Sequence, residues 1–292
     1  MRILLTGGSG FIGKNILENF TGKYEIIAPK HLELDLLDEK QVSDFFEDNI
    51  IDVVIHSACK PGHRNAKDLT NLFYCNTRMY FNLARHSEKY KKMIVLGSGA
   101  IYDTRLNLFK VNEDFYKYQL PVDEHGFCKY VCARDIEKSD NIIELRLFGV
   151  FGKYEDYSIR FISNAICKAL LDMPITLKQN RVFDYLYIDD LMPILDYVIN
   201  HEMSFESYNV TPDNSAQLHN LAEIVLEISQ KDLPIITDKP GLGLEYSGDN
   251  ERLHKEIPEL KFTELQYAII QLYQWYLTNK DMIDKSCLMV DK

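Results

Sequence analysis

Short, continuous apolar runs alternate with amphipathic stretches along the first half of the chain. Arg2–Thr6 (RILLT), Tyr24–Ala28 (YEIIA), Asp52–Ala58 (DVVIHSA), Met93–Ser98 (MIVLGS) and Ile142–Phe148 (IIELRLF) are such runs. A strand covered on both faces reads this way, because neither face meets water. Between the runs, 13–20, 39–49, about 69–90 and about 126–138 are expected to be helices. Strand–helix alternation predicts an α/β fold, a doubly wound parallel sheet with helices on both faces.

Past Gly149 the pattern loosens. A helix is expected over 157–171 and a strand around PITL (Pro174–Leu177). Phe183–Leu191 (FDYLYIDDL) reads as a strand running into a helix, with Asp189 or Asp190 as its cap. Ser207–Thr211 is a further buried strand and a candidate last member of the main sheet. Helices over 218–228 and 264–277 close the chain, separated by a loop rich in Gly and Asp, Lys239–Arg252.

Composition narrows the classes of partner. The 292 residues, 46% hydrophobic, suffice for one large domain or a domain with a smaller lobe. A net charge of −11 argues against nucleic acid, which needs a clustered basic surface. It leaves room for one phosphorylated small molecule. No apolar run approaches the ~18 residues of a membrane span, and Met1 is followed at once by a strand rather than a secretory leader. The six cysteines (59, 75, 128, 132, 167 and 287) form no CxxC pair, so free thiols in the cytoplasm are expected and no metal site.

Thr6–Gly13 (TGGSGFIG) places Gly7, Gly10 and Gly13 three apart, between the first strand and a helix. That context points to a dinucleotide. The first glycine makes the tight turn, the second lets a pyrophosphate approach the backbone, and the third lets helix pack on strand. Phe11 and Ile12, between the second and third glycines, are counted with them as cofactor contacts. An acid after the second strand would bind the ribose 2′-hydroxyl of NAD. Pro29, Lys30 and His31 stand there instead, and a cation suits a 2′-phosphate, so NADP(H) is preferred and NAD is the alternative. Asp35 is a candidate for the adenine amino group, and Asp38 for an N-cap.

With LGSGAIYD (Leu96–Asp103), Lys129, LRLFGVFG (Leu145–Gly152) and FDYLYIDDL added, the chain resembles the extended short-chain dehydrogenase/reductases that act as nucleotide-sugar epimerases, dehydratases and reductases. The resemblance covers nearly the whole chain and is strongest over 1–200; the early section is most similar to reductases that make GDP-fucose. It implies a Rossmann domain over 1–150 and a nucleotide-sugar lobe over 151–292, with a segment near 183–211 returning to the main sheet. It implies Gly7, Gly10, Gly13, Asp35 and Lys129 as cofactor residues and Ser98 as the hydroxyl that holds the reacting sugar oxygen. A homodimer is left open.

The pattern departs from the family where the chemistry sits. Four residues before Lys129 the family places a tyrosine; this chain has His125. The spacing puts both side chains on one helical face if the helix includes His125. A cation beside an imidazole disfavours its charged form, so His125 is expected to titrate below the free value of ~6.5. Histidine is also the commonest general acid–base group. Tyr102 and Tyr118 are open substitutes, and Tyr130 lies too far along the helix. The family's substrate arginine is displaced, with Phe183 in its slot and Arg181 nearby. Candidate diphosphate donors are Arg181, Arg160, Lys168 and Arg252. Tyr246, Asp249 and Asn250 are expected in a loop closing over the nucleotide, and His63 and Arg64 near the substrate.

The expected activity is NAD(P)-dependent reduction of a 4-keto nucleoside diphosphate sugar, for surface-polysaccharide or deoxysugar synthesis. The alternatives are an epimerase holding NAD tightly and a cofactor-binding protein without turnover.

Overall fold

The computed structural model describes residues 1–62 and 68–289. Its strands are β1 (Arg2–Thr6), β2 (Glu25–Ile27), β3 (Val53–His56), β4 (Lys92–Ser98), β5 (Leu108–Val111), β6 (Ile142–Leu147), β7 (Gly149–Phe151), β8 (Ile175–Asn180), β9 (Val182–Phe183), β10 (Tyr185–Tyr187), β11 (Ser207–Val210), β12 (Ala216–Gln217), β13 (Ile235–Leu242) and β14 (Tyr246–Gly248). The α-helices are α1 (Phe11–Phe20), α2 (Glu39–Asp48), α3 (Leu72–Ala84), α4 (Glu124–Ile136), α5 (Phe161–Leu170), α6 (Ile188–Asn200), α7 (Leu218–Ser229), α8 (Glu251–Glu256) and α9 (Leu265–Thr278).

Six strands form the main sheet in the order β11-β6-β4-β3-β1-β2, every neighbour parallel. Successive residues of a strand face opposite sides, so the apolar runs feed two cores. Ile3, Leu5, Val53, Ile55 and Ile94 pack with Ile16, Leu191, Ile194 and Leu195 of α1 and α6. Leu4, Val54, Met93 and Val95 pack with Val42, Phe46, Tyr80, Leu83 and Ile136 of α2, α3 and α4. Each fully buried Leu or Ile contributes about 1.5–3 kcal/mol of transfer free energy. The chain leaves β1 for β2 on one side and returns to β3 on the other. This reversal opens a crevice at the strands' C-terminal ends, where open α/β sheets bind ligands.

The second half departs from the sequence expectation in several places. The helix expected over 157–171 begins only at Phe161, after a turn in which Ser158 N–H donates to Asp156. Neither Asp189 nor Asp190 caps α6; both lie inside its first turn, and the Asp190 carboxylate accepts from the Thr263 backbone and hydroxyl. The 239–252 stretch is no open loop: β13 runs parallel to β8, and β14 lies between β5 and β9. Among the described residues no helix is long and apolar enough to cross a membrane.

A buried polar core ties the sheet to these smaller strands. Arg146 Nε donates to Glu144 at 2.7 Å and its Nη1 to the Glu113 carbonyl at 2.6 Å, with the guanidinium 4.5 Å from the Tyr116 ring. The fully buried Asp184 accepts from Ser215, Thr211 and Gly248 N–H. These hydrogen bonds offset the cost of burying the polar groups.

Candidate active site

A cavity of about 480 Å3 occupies the crevice, walled by the glycine loop, the 28–31 segment after β2 and the Ser57–Lys60 segment after β3. Gly7 has φ of +72°, and a Cβ there would sit 2.7 Å from the Ala58 backbone nitrogen. A Cβ on Gly13 would sit 2.2 Å from the Gly7 carbonyl oxygen. Gly10 differs: its Cβ would meet only that oxygen, at 3.3 Å. The first and third glycines therefore shape the loop, and the second leaves its outer face open. Gly10 also stands as the N-cap of α1 with no side-chain cap, so amides of the first turn remain available to an anion. This cradle fits a dinucleotide pyrophosphate.

Gly7, Gly10, Lys30, His31 and Asp35 all line the cavity. Phe11, Ile12 and Gly13 are not part of its wall; Phe11 and Ile12 pack their side chains against the main core. Lys30 and His31 are exposed at the rim. Asp35 accepts from Leu37 N–H at 2.9 Å and lies 3.6 Å from the His31 ring nitrogen. Asp38 caps α2 by accepting from Lys40 and Gln41.

Under the loop, His56 is buried, its Nδ1 2.9 Å from the Thr6 hydroxyl. Burial first, and then the Lys129 cation, push its pKa down to about 3, so it is a neutral structural group. Lys129 reaches the Leu96 carbonyl at 3.5 Å and shares a small internal cavity with His56, Ala58 and Glu144.

Ser98 ends β4 and caps a 3₁₀ turn over Gly99–Ile101, its Oγ accepting from Ala100 N–H at 3.1 Å. Helix α4 begins at Glu124, capped by Asp123, so His125 lies within it and shares a face with Lys129. The helix presses on the turn: a Cβ on Gly126 would sit 2.7 Å from the Ala100 carbonyl oxygen. Gly62 approaches the His125 ring, where a Cβ would stand 3.2 Å from Cγ. Tyr102 is fully buried, bonding Asn209 at 2.6 Å and receiving Arg146 at 3.0 Å; Tyr118 is largely exposed.

A second cavity, of about 550 Å3, lies in the C-terminal half. Arg160, Arg181, Lys168, Lys178 and Lys239 bring five cations to its wall, with Asn164, Phe183 and Tyr185 beside them. Arg181 is steadied by the Leu244 carbonyl at 2.8 Å and by stacking 4.9 Å over Phe183. Lys168 is buried and donates to Thr176 at 2.6 Å. Asn250 and Arg252 do not line this cavity: the Asn250 amide donates to Thr211 and Asp213, and Arg252 pairs with Asp114 at 2.5 Å. Tyr246 lies in strand β14 with its phenol beside Gly99. His63 and Arg64 lie outside the described residues.

Three comparisons bear on this arrangement. The model of the NAD-dependent epimerase/dehydratase family matches residues 3–211. The chain belongs to that family. It is 23% identical over 306 residues to the GDP-L-colitose synthase of Yersinia pseudotuberculosis, covering 96% of this chain and 99% of that one. Two solved structures share the fold. UDP-glucose 4-epimerase of Thermotoga maritima with UDP-glucose has a TM-score of 0.82 at 18% identity, covering 96% and 100% of the two chains. A GDP-L-fucose synthetase of Naegleria fowleri bound to NADP has a TM-score of 0.82 at 16% identity, covering 97% and 95%.

Gly7 and Gly10 line the first cavity, Lys129 lies in the small cavity with His56, and His125 sits within α4; neither Ser98 nor His125 lines either of the two larger cavities. Sequence reasoning missed Glu155, buried in the wall of the second cavity and bonded to Ser163 at 2.5 Å. Burial pushes its carboxyl up to about 8, so it is mostly protonated at neutral pH. Nothing in KYEDYS signals this, because the contact that marks the buried carboxyl forms only when Ser163, eight positions on in α5, is folded against it.

Proposed function

We propose that this protein is an NADP(H)-dependent reductase of a GDP-linked 4-keto sugar. The observation that carries the reading is the pair of cavities: a dinucleotide cradle on the main sheet and a five-cation pocket in the C-terminal half. Family membership supplies the class of chemistry, and the relative named for GDP-colitose synthesis favours GDP. The division into a cofactor lobe over 1–150 and a substrate lobe beyond it belongs to this reading.

A bound reduced dinucleotide would supply hydride. The chain's own residues do the rest. Gly7 and Gly10 admit the pyrophosphate, Lys30 and His31 meet a 2′-phosphate, and Lys129 holds the nicotinamide ribose. Arg160 and Arg181 bind the sugar diphosphate through charge-assisted hydrogen bonds. Ser98 positions the carbonyl oxygen, and His125 delivers the proton that makes it an alcohol.

Two measurements check this. In a thermal-shift series with NADPH saturating, GDP-sugars should raise the melting temperature more than UDP-, CDP- or dTDP-sugars. No response to any of the four would sink the substrate class. For the cofactor, Lys30→Glu should reverse the preference from NADPH to NADH. One charge-assisted bond is worth about 1.5–3 kcal/mol, so the affinity ratio should move by at least about tenfold. Equal affinities in the native protein would refute the role of Lys30.

Epimerisation is the second reading, favoured by the fold shared with UDP-glucose 4-epimerase. It requires NAD to copurify and to be regenerated within each cycle, whereas a reductase consumes its cofactor.

A further inference from the structure

The phenol of Tyr246 lies against the turn that follows Ser98. Tyr246 opens β14, where its carbonyl accepts from Asp184 N–H at 3.2 Å. Its ring is clamped by Phe148, with centroids 5.0 Å apart, and by Phe183 at 5.4 Å. The hydroxyl projects onto the 98–101 turn so closely that a Cβ on Gly99 would stand 2.4 Å from it. The Ser98 hydroxyl is within hydrogen-bonding reach. Position 99 thus has to be glycine for the phenol to arrive. Of the other tyrosines weighed as substitutes for the missing family residue, Tyr102 is committed to Asn209 and Arg146, and Tyr118 is on the surface.

We infer that Tyr246 is a catalytic hydrogen-bond donor whose phenol, together with the Ser98 hydroxyl, holds the carbonyl oxygen of the keto sugar. This rests on the reading of the cleft as a keto-sugar site. Ser98 Oγ already accepts from Ala100 N–H, and its proton, now within reach of the Tyr246 oxygen, turns to the substrate oxygen when that enters. Burial drives the Tyr246 phenol well above its usual range, with Ser98 only partly opposing, so it stays protonated and donates without being consumed. As the carbonyl carbon accepts hydride from a dihydronicotinamide dinucleotide, the C=O π pair moves onto oxygen. Tyr246 and Ser98 hold that developing charge by two hydrogen bonds, and a proton from His125 completes the alcohol. The dinucleotide leaves oxidised, the ketone leaves reduced, and Tyr246 keeps its proton. The phenol that the family carries on α4 is in this chain supplied by the other half of the molecule, as a donor rather than as an acid.

Loss of one such donor costs about 10²–10³ in kcat. Tyr246→Phe keeps the ring packing, so its melting temperature and its affinities for NADPH and GDP should stay native. With GDP-4-keto-6-deoxymannose as substrate, kcat should fall by about 10²–10³ with little change in KM. The pH at which the rate declines should not move, because Tyr246 does not titrate in the working range. Without cofactor, the melting-temperature rise given by that keto sugar should shrink, while the rise given by GDP does not. If the native protein turns the keto sugar over and Tyr246→Phe matches it, the role of Tyr246 is wrong and the reading of the cleft survives. If the native protein binds no nucleotide sugar, both fall together.

Discussion

Gly10→Asp should abolish dinucleotide binding and leave the fold intact. The two halves of that expectation come from one geometry. A Cβ at Gly10 meets nothing closer than the Gly7 carbonyl oxygen at 3.3 Å, so the apo protein can accommodate the side chain with a small adjustment. The same side chain projects where the pyrophosphate must approach the backbone, and it adds a negative charge beside two others. Affinity for NADPH and NADH by calorimetry should fall by more than about a hundredfold, which corresponds to roughly 2.7 kcal/mol. The melting temperature without cofactor should stay near native. Gly13→Ala makes a useful contrast. Its Cβ would overlap the Gly7 carbonyl, 2.2 Å away, so there the loop itself must shift and stability should drop as well. Retained cofactor affinity in Gly10→Asp would mean that the cradle binds something else.

His125→Ala should slow reduction by about 10²–10⁴, the span of a lost general acid. The imidazole lies in α4 on the face shared with Lys129, and that helix rests on the turn carrying Ser98. Only the imidazolium has a proton to give readily. The native rate should therefore fall as pH rises through the histidine titration, and the Ala variant should lose that limb. A family member with tyrosine here uses a phenol whose ionisation the lysine assists. His125→Tyr should consequently regain activity and shift the optimum upward. An Ala variant as fast as the native protein would mean that another donor or water supplies the proton, and His125 would have no acid role.

The contrast between legible and illegible parts has a physical origin. The strand–turn–helix around Gly7 and Gly13 was readable because a tight turn and a close backbone approach demand glycine at a fixed spacing. The strands of the main sheet were readable because burial on both faces leaves a continuous apolar run. Ser98, His125 and Lys129 came from local motifs whose order along the chain survives in the fold. The C-terminal half resisted because its partners are distant. Tyr246 reads as a loop residue until β14 settles between β5 and β9, more than 130 positions from Leu108 and more than 60 from Phe183. Asn250 and Arg252 look like free polar groups until Thr211, Asp213 and Asp114 meet them. Asp190 looks like a helix cap until Thr263 bonds its carboxylate.

The proposed chemistry moves hydride from a nicotinamide cofactor to a keto sugar on GDP, with His125 as the proton donor. The most direct test mixes the native protein with NADPH and GDP-4-keto-6-deoxymannose and follows the absorbance of the reduced nicotinamide. NADPH should be consumed mole for mole with the keto sugar, at a rate that declines toward alkaline pH, and NADH should be consumed more slowly. Binding of both ligands with no loss of reduced nicotinamide at any pH would contradict it, and would leave a protein that keeps the family's cofactor cradle without its hydride transfer.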